Sequence, residues 1–315
     1  MKQTNEDLLL SSYDYELPKE RIAQHPLEER SSSRLMVLEK DNGTLSHAIF
    51  SSIGSFLKKG SLLVANNSMV VPARILGRRP TGGKAEMLLL TPPPLLEKTA
   101  CHIDDKWSET MAEALLKPGR GIKEGDSLTF GACLSASVMR KKSFGMHDIL
   151  LRWKGSLVEC LRSIGMVPLP PYIKRPLERG DLSSYQTIYA KNEEAGSVAA
   201  PTAGLHFSDG LRRSLEQNGI EWAEVTLHVG YGTFSPVRED IISRHAMHRE
   251  YAHITRQAAE SIRRAKKEHR PVVAVGTTSC RTLEGCAAAC GGTIPEEGWE
   301  GETSIFIYPG FTFNV

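Results

Sequence analysis

The sequence predicts an α/β protein carrying an inserted all-β unit, on three observations. Apolar residues at helical spacing recur through the C-terminal half, beside continuous apolar runs of strand length. Between about Val71 and Trp153 the texture changes to short apolar runs divided by Gly- and Pro-rich turns, the pattern of a small β-barrel or sandwich. The length of 315 residues, with 40% hydrophobic and 24% charged, suits about two domains and a sizeable core.

Each element has a local reason. Residues 17–23, opened by Pro18, predict a short helix. Arg34-Leu35-Met36-Val37-Leu38 reads as a strand ended by the turn Asp41-Asn42-Gly43, and residues 53–57 as a brief helix. Ser61-Leu62-Leu63-Val64-Ala65, followed by Asn66-Asn67, predicts a buried strand. In the all-β unit the runs 85–90, 112–116, 127–130, 134–139 and 148–153 read as strands. Thr81-Gly82-Gly83-Lys84, Pro92-Pro93-Pro94, and residues 117–121 and 124–126 punctuate them.

Residues 156–164 place Leu157, Val158, Leu161 and Ile164 at helical spacing, with Gly165 as a stop. A second helix spans 207–219 between a Ser208 cap and Gly219. Residues 224–229 alternate like a strand, and 255–270 form a helix with Ala258, Ala259, Ile262 and Ala265 inward. Pro271-Val272-Val273-Ala274-Val275 carries the signature of a buried central strand. Residues 281–290 make the next helix, and Ser304-Ile305-Phe306-Ile307-Tyr308 the final strand.

Lys and Arg number 39 against 37 Asp and Glu, a net charge of +2, so no bulk field advertises a nucleic-acid or membrane partner. Local basic clusters at 74–84, 140–142 and 263–270 are compatible with an RNA-backbone track or with solvated faces. Leu8-Leu9-Leu10 is the one apolar run among residues 1–15, and no stretch approaches the roughly 20 apolar residues of a membrane span. A cytoplasmic protein is expected. Six cysteines in a chain of this length do not make a disulfide scaffold.

Several constellations have chemical potential. The strand–turn–helix at 272–281 puts Gly276, Thr277, Thr278 and Ser279 where helix amides meet polar or anionic ligands, and Arg281 adds a fork for a carboxylate or phosphate. An ordinary Thr/Ser cap is the alternative. Ala199-Ala200-Pro201-Thr202-Ala203-Gly204-Leu205-His206 offers small residues that admit a ligand to the backbone. His206 precedes a helix and His228 ends a strand; each suits acid/base work near neutral pH, or a hydrogen-bonded structural role.

Other patterns point away from particular chemistries. His245, His248 and Glu250 lack the i, i+4 spacing of zinc motifs. Cys280, Cys286 and Cys290 match no common iron–sulfur spacing and suit core packing. Gly230-Tyr231-Gly232 is a lone fragment of the dinucleotide fingerprint, which leaves little support for a methyltransferase or dehydrogenase. The residues by themselves do not name a reaction.

Long motifs in order do. They include Ile22-Ala23-Gln24-His25-Pro26, Ser33-Arg34-Leu35-Met36-Val37-Leu38, Val71-Pro72-Ala73-Arg74 and Pro168-Leu169-Pro170-Pro171-Tyr172-Ile173. Tyr185-Gln186-Thr187, Val198 through Phe207, Thr226-Leu227-His228-Val229-Gly230, Gly232-Thr233-Phe234, Met247-His248 with Glu250, and Gly276-Thr277-Thr278-Ser279 with Arg281 and Glu284 follow. From about residue 13 to the last, the chain resembles the S-adenosylmethionine:tRNA ribosyltransferase-isomerase family of queuosine biosynthesis. Ser68-Met69 stands where the family usually has Thr and a basic residue. The family's further C-terminal segment, with an Asn-Phe-His-Leu-Pro motif, is not found before Val315.

The resemblance implies a mixed-sheet α/β catalytic domain (1–70 and 155–315) with an inserted small antiparallel β-barrel domain (71–154). It implies transfer of the ribosyl part of S-adenosylmethionine onto 7-aminomethyl-7-deazaguanine at the tRNA wobble position. The ribose is isomerised to give epoxyqueuosine, with adenine and methionine released. S-adenosylmethionine is then a consumed substrate, no cofactor or metal is called for, the partner is tRNA, no membrane is involved, and a monomer is expected. A non-catalytic tRNA-binding relic is the competing reading.

The implied catalytic residues are His206 and His228, with His248 and Glu250 in reserve. Thr202, Gly204, Gly232, Thr233, Gly276, Thr277, Thr278 and Ser279 would bind substrate. Arg281 would pair the methionine carboxylate.

Overall fold

The structure, a computed structural model, describes residues 5–119, 121–142, 145–230, 232 and 236–315. Short 3-10 turns at Lys19–Arg21 and Arg30–Ser32 precede a hairpin of β1 (Arg34–Leu38) and β2 (Leu45–Ile49). A 3-10 helix, Phe50–Phe56, leads to β3 (Leu62–Asn66) and the short β4 (Met69–Val70). Next come β5 (Arg74–Arg78), β6 (Lys84–Leu89), α1 (Pro93–Thr99), β7 (Cys101–His102), β8 (Trp107–Lys117), β9 (Ser127–Phe130), β10 (Leu134–Lys141) and β11 (Met146–Lys154). The chain continues through α2 (Leu157–Ile164), β12 (Gly165–Met166), α3 (Asp181–Ser184), β13 (Ala195–Ser197) and the 3-10 turn Thr202–His206. It ends with α4 (Asp209–Gln217), β14 (Glu221–Leu227), β15 (Glu250–Ile254), α5 (Arg256–Lys267), β16 (Val272–Val275), α6 (Gly276–Ala289) and β17 (Trp299–Thr303).

Antiparallel pairing runs β11–β10–β9–β5–β6–β8 and closes on itself where β8 pairs β11 along Trp107 to Leu115. The strands alternate as a barrel wall requires: Ala112, Ala114 and Leu116 of β8 and Ile149, Leu151 and Trp153 of β11 point into one core. Leu96 of α1 and Leu157 and Leu161 of α2 pack into the same core. β12 adds to β5, and a disulfide between Cys133 and Cys160, with Cα atoms 6.0 Å apart, ties the β9–β10 turn to α2.

The second sheet has the order β16–β3–β14–β15–β17. β16, β3 and β14 are parallel, whereas β15 and β17 are antiparallel additions. β3 is buried at every position because both faces are covered. Leu62 and Val64 meet Ala259 and Ile262 of α5 and Leu283 and Ala287 of α6; Leu63 and Ala65 meet Phe50, Phe207 and Leu215. Thr255 caps α5, Ser208 caps α4 and Ser156 caps α2 through side-chain oxygens, so the helix starts follow the sequence signals.

Four expectations are revised. The apolar run Val272–Val275 is an edge strand, not a central one. Its alternate residues enter different cores, Val272 and Ala274 against the helices, Val273 and Val275 against the opposite layer, so the run reports two covered faces. Ser304 to Tyr308 is not a strand: the pairing of β17 ends at Thr303, opposite Glu250 where β15 begins. The triple proline opens α1, since proline at a first helical turn forfeits no hydrogen bond. The helix expected at 17–23 contracts to the turn Lys19–Arg21.

Candidate active site

A cavity of about 360 Å³ opens beside the turn Thr202–His206, walled by residues of three segments, 23–33, 169–185 and 202–206. Tight backbone contacts place the turn. A Cβ on Gly204 would stand 1.9 Å from Tyr189 Oη, and one on Gly276 would stand 3.1 Å from Ala203 Cβ. Gly276 also has φ +82°, a region that favours glycine. The turn Thr202–His206 and the start of α6 are therefore in contact, and Thr202 and His206 line the cavity.

His206 is half-buried at the cavity wall. Its Nδ1 lies 3.0 Å from Ser33 Oγ, and its ring lies 5.3 Å from that of Phe50. Burial holds its pKa below the ordinary histidine value.

Arg30 binds the walls together: Nη1 donates to the carbonyls of Gln186 (2.6 Å) and Leu205 (3.4 Å), and Nη2 to that of Ser183 (2.8 Å). Opposite, Arg175 forks onto Asp181 at 2.6 and 2.7 Å and donates from Nε to the Gln24 carbonyl at 2.8 Å. Arg30, Arg175 and Asp181 were not among the expected site residues. Their partners include groups about 150 to 175 positions away in the chain, a relation that local pattern does not carry.

The other expected residues fall elsewhere. His228 is only 2% exposed. Its Nδ1 is 2.9 Å from Ser68 Oγ, which is 2.7 Å from Ser197 Oγ, and its ring stacks on Tyr251. Burial lowers its pKa to about 4, with His253 and Lys98 adding to the effect. At neutral pH the 3.9 Å approach of Nε2 to Glu194 is thus that of a neutral ring to a carboxylate.

Glu250 is buried and accepts from the Gly230 amide at 2.9 Å while its second oxygen pairs with Arg281. Arg281 Nε donates to the Ile305 carbonyl at 3.2 Å, so Nη2 is its unpartnered nitrogen; Thr278 Oγ1, one turn earlier on α6, is also buried without a partner. The expected free carboxylate fork is therefore largely committed, its charge balanced by Glu250. Ser279 Oγ donates to the Val275 carbonyl at 3.0 Å, an internal helix bond, and Thr277 is exposed. His248 is exposed and packs so closely on Gly232 that a Cβ there would meet its ring at 2.6 Å. Thr233 lies outside the described residues. Among the described residues no group of three His, Cys, Asp or Glu side chains is placed to hold a metal ion.

A mixed sheet with a barrel between its strands, and a cavity walled in part by a half-buried histidine, describe an α/β protein with a candidate ligand site. A family model described as "Queuosine biosynthesis protein" matches residues 10–315. The S-adenosylmethionine:tRNA ribosyltransferase-isomerase of Nitratidesulfovibrio vulgaris is 53% identical over 317 residues, covering 99% of this chain and 85% of that protein. That of Oleidesulfovibrio alaskensis is 53% identical, covering 98% and 80%, and that of Desulfitobacterium hafniense 44% identical, covering 97% and 84%. The chain belongs to the queuosine biosynthesis protein family.

Proposed function

We propose that this chain is itself an S-adenosylmethionine:tRNA ribosyltransferase-isomerase. The observation that carries the reading is likeness to so-named relatives over 99% of the chain. The proposed reaction moves and isomerises the ribosyl group of S-adenosylmethionine onto 7-aminomethyl-7-deazaguanine in tRNA, releasing adenine and methionine. S-adenosylmethionine is consumed, and the reading calls on no cofactor.

The chemistry needs a base for the ribose methylene that the positive sulfonium acidifies, an acid for departing adenine, and a neutral substrate amine. His206 suits the base because it lines the cavity and burial favours its neutral form. His228, sealed under Tyr251 and bonded to Ser68, suits a structural role. Thr202 lines the same cavity and would contact substrate. Nη2 of Arg281 with Thr278 Oγ1 would receive a single polar group of the ligand. Described helices include none long and apolar enough to cross a membrane, and a cytoplasmic monomer is the proposed state. The division at about residues 70 and 154 is likewise proposed, supported by barrel strands that run from Arg74 to Lys154.

The test is chromatography of small products after mixing the protein, S-adenosylmethionine and tRNA bearing the aminomethyl base. Adenine and methionine should appear together, and only with the modified tRNA. S-adenosylhomocysteine would instead indicate methyl transfer, and tRNA binding without adenine would indicate a non-catalytic relic.

A further inference from the structure

The hydrogen bonds around His206 form a directed chain. A serine hydroxyl has one proton to give. Ser33 Oγ lies 3.2 Å from the Arg30 carbonyl, which only accepts, and we infer that the hydroxyl proton goes there. The same oxygen lies 3.0 Å from His206 Nδ1 and is left to accept. Nδ1 must then carry the proton of the neutral ring, and Nε2 holds the free lone pair.

The arrangement is held from both ends. Ser33 closes the 3-10 turn Arg30–Ser32, and the Arg30 guanidinium donates to Leu205, the residue before His206, as well as to Ser183 and Gln186. Phe50 backs the ring on one side. Among the described residues no hydrogen bond reaches His206 Nε2, and the residue lines the cavity.

We propose that Ser33 is a positioning residue that fixes His206 as the Nδ1–H tautomer and thereby makes Nε2 the base presented to substrate. The proposal rests on the ribosyl-transfer reading for the identity of the acid. In that reaction Nε2 takes a proton from the ribose methylene bonded to sulfur. The C–H electron pair stays on carbon, stabilised by the adjacent sulfonium, and the imidazole becomes imidazolium.

The experiment combines nitrogen-15 NMR of the imidazole with kinetics on the full chain. The His206 signals, assigned by their loss in His206→Gln, should show Nδ1 protonated and Nε2 unprotonated near neutral pH. Ser33→Ala should shift the ring toward the Nε2–H form and lower kcat roughly tenfold, within the range of acid/base contributions, with KM little changed. Ser33→Thr, which keeps the hydroxyl, should restore both. An Nε2–H ring in the unaltered protein, or a tautomer that ignores Ser33→Ala, would overturn the proposal. If the protein releases no adenine at all, the proposed reaction fails, while the NMR result still decides the tautomer.

Discussion

At the scale of single residues, two histidines that look alike in sequence are set apart by their surroundings. His206 borders a cavity, whereas His228 has its ring covered and Nδ1 held by Ser68. His206→Ala is expected to reduce adenine release by on the order of 100-fold, without a matching loss of fold by circular dichroism. Full activity would remove the residue from the reaction. For His228 the consequence is thermodynamic. Its pKa falls from 6.5 to about 4 on folding, so between those values the unfolded chain binds a proton that the folded protein refuses. Stability from this group is complete above pH 6.5 and declines as pH falls toward 4, by about 3 kcal/mol in all. Urea denaturation at pH 7 and pH 4.5 should show a larger loss for the unaltered protein than for His228→Gln. Equal losses would mean that the ring is not buried in solution.

Among elements, the junction of β15 with α6 is where a substitution acts most sharply. Glu250 and Arg281 are both largely buried, so Glu250→Ala leaves a cation without its partner and should cost about 3–5 kcal/mol in chemical denaturation. A cost below about 1 kcal/mol would mean that water reaches the pair. Element identity was legible where local signals agree. Thr255 with inward Ala258, Ala259, Ile262 and Ala265 announces α5, and the run from Leu62 to Ala65 announces a covered strand. It failed where partners decide. Nothing in Val272–Val275 tells an edge from a centre, because side chains record the layers above and below a sheet, not its neighbours within it. Residues 304–308 have strand composition but, among the described residues, no strand to pair with. The cavity was half legible: His206 and Thr202 lie in a conspicuous small-residue motif. Arg30 acts on backbone carbonyls, which any sequence supplies, so its role leaves no complementary residue to find; Arg175 pairs with the nearby Asp181, but its reach to the Gln24 carbonyl is of the same unreadable kind.

Over the whole molecule, the cross-link and the sheet topology govern how the chain holds together. The Cys133–Cys160 bond closes a loop with a sequence separation of 27, which in the chain-entropy view stabilises by about 3.5 kcal/mol. Cys133→Ser should lower the unfolding free energy by that amount in non-reducing buffer and by nothing in the presence of dithiothreitol; equal stability in both would mean that the thiols stay reduced in solution. The barrel's position in the chain also sets a timetable. Most of its ladders join strands close in sequence, such as β9 with β10 and β10 with β11, whereas Asn66 finds its partner Leu227 across 161 residues. Local pairings close quickly and distant ones wait. The barrel should therefore be the first part to protect its amides in pulsed hydrogen exchange, drawing β3 and β14 toward each other before they pair. The walls around His206, assembled from segments on both sides of the barrel, would then be the last to acquire their shape.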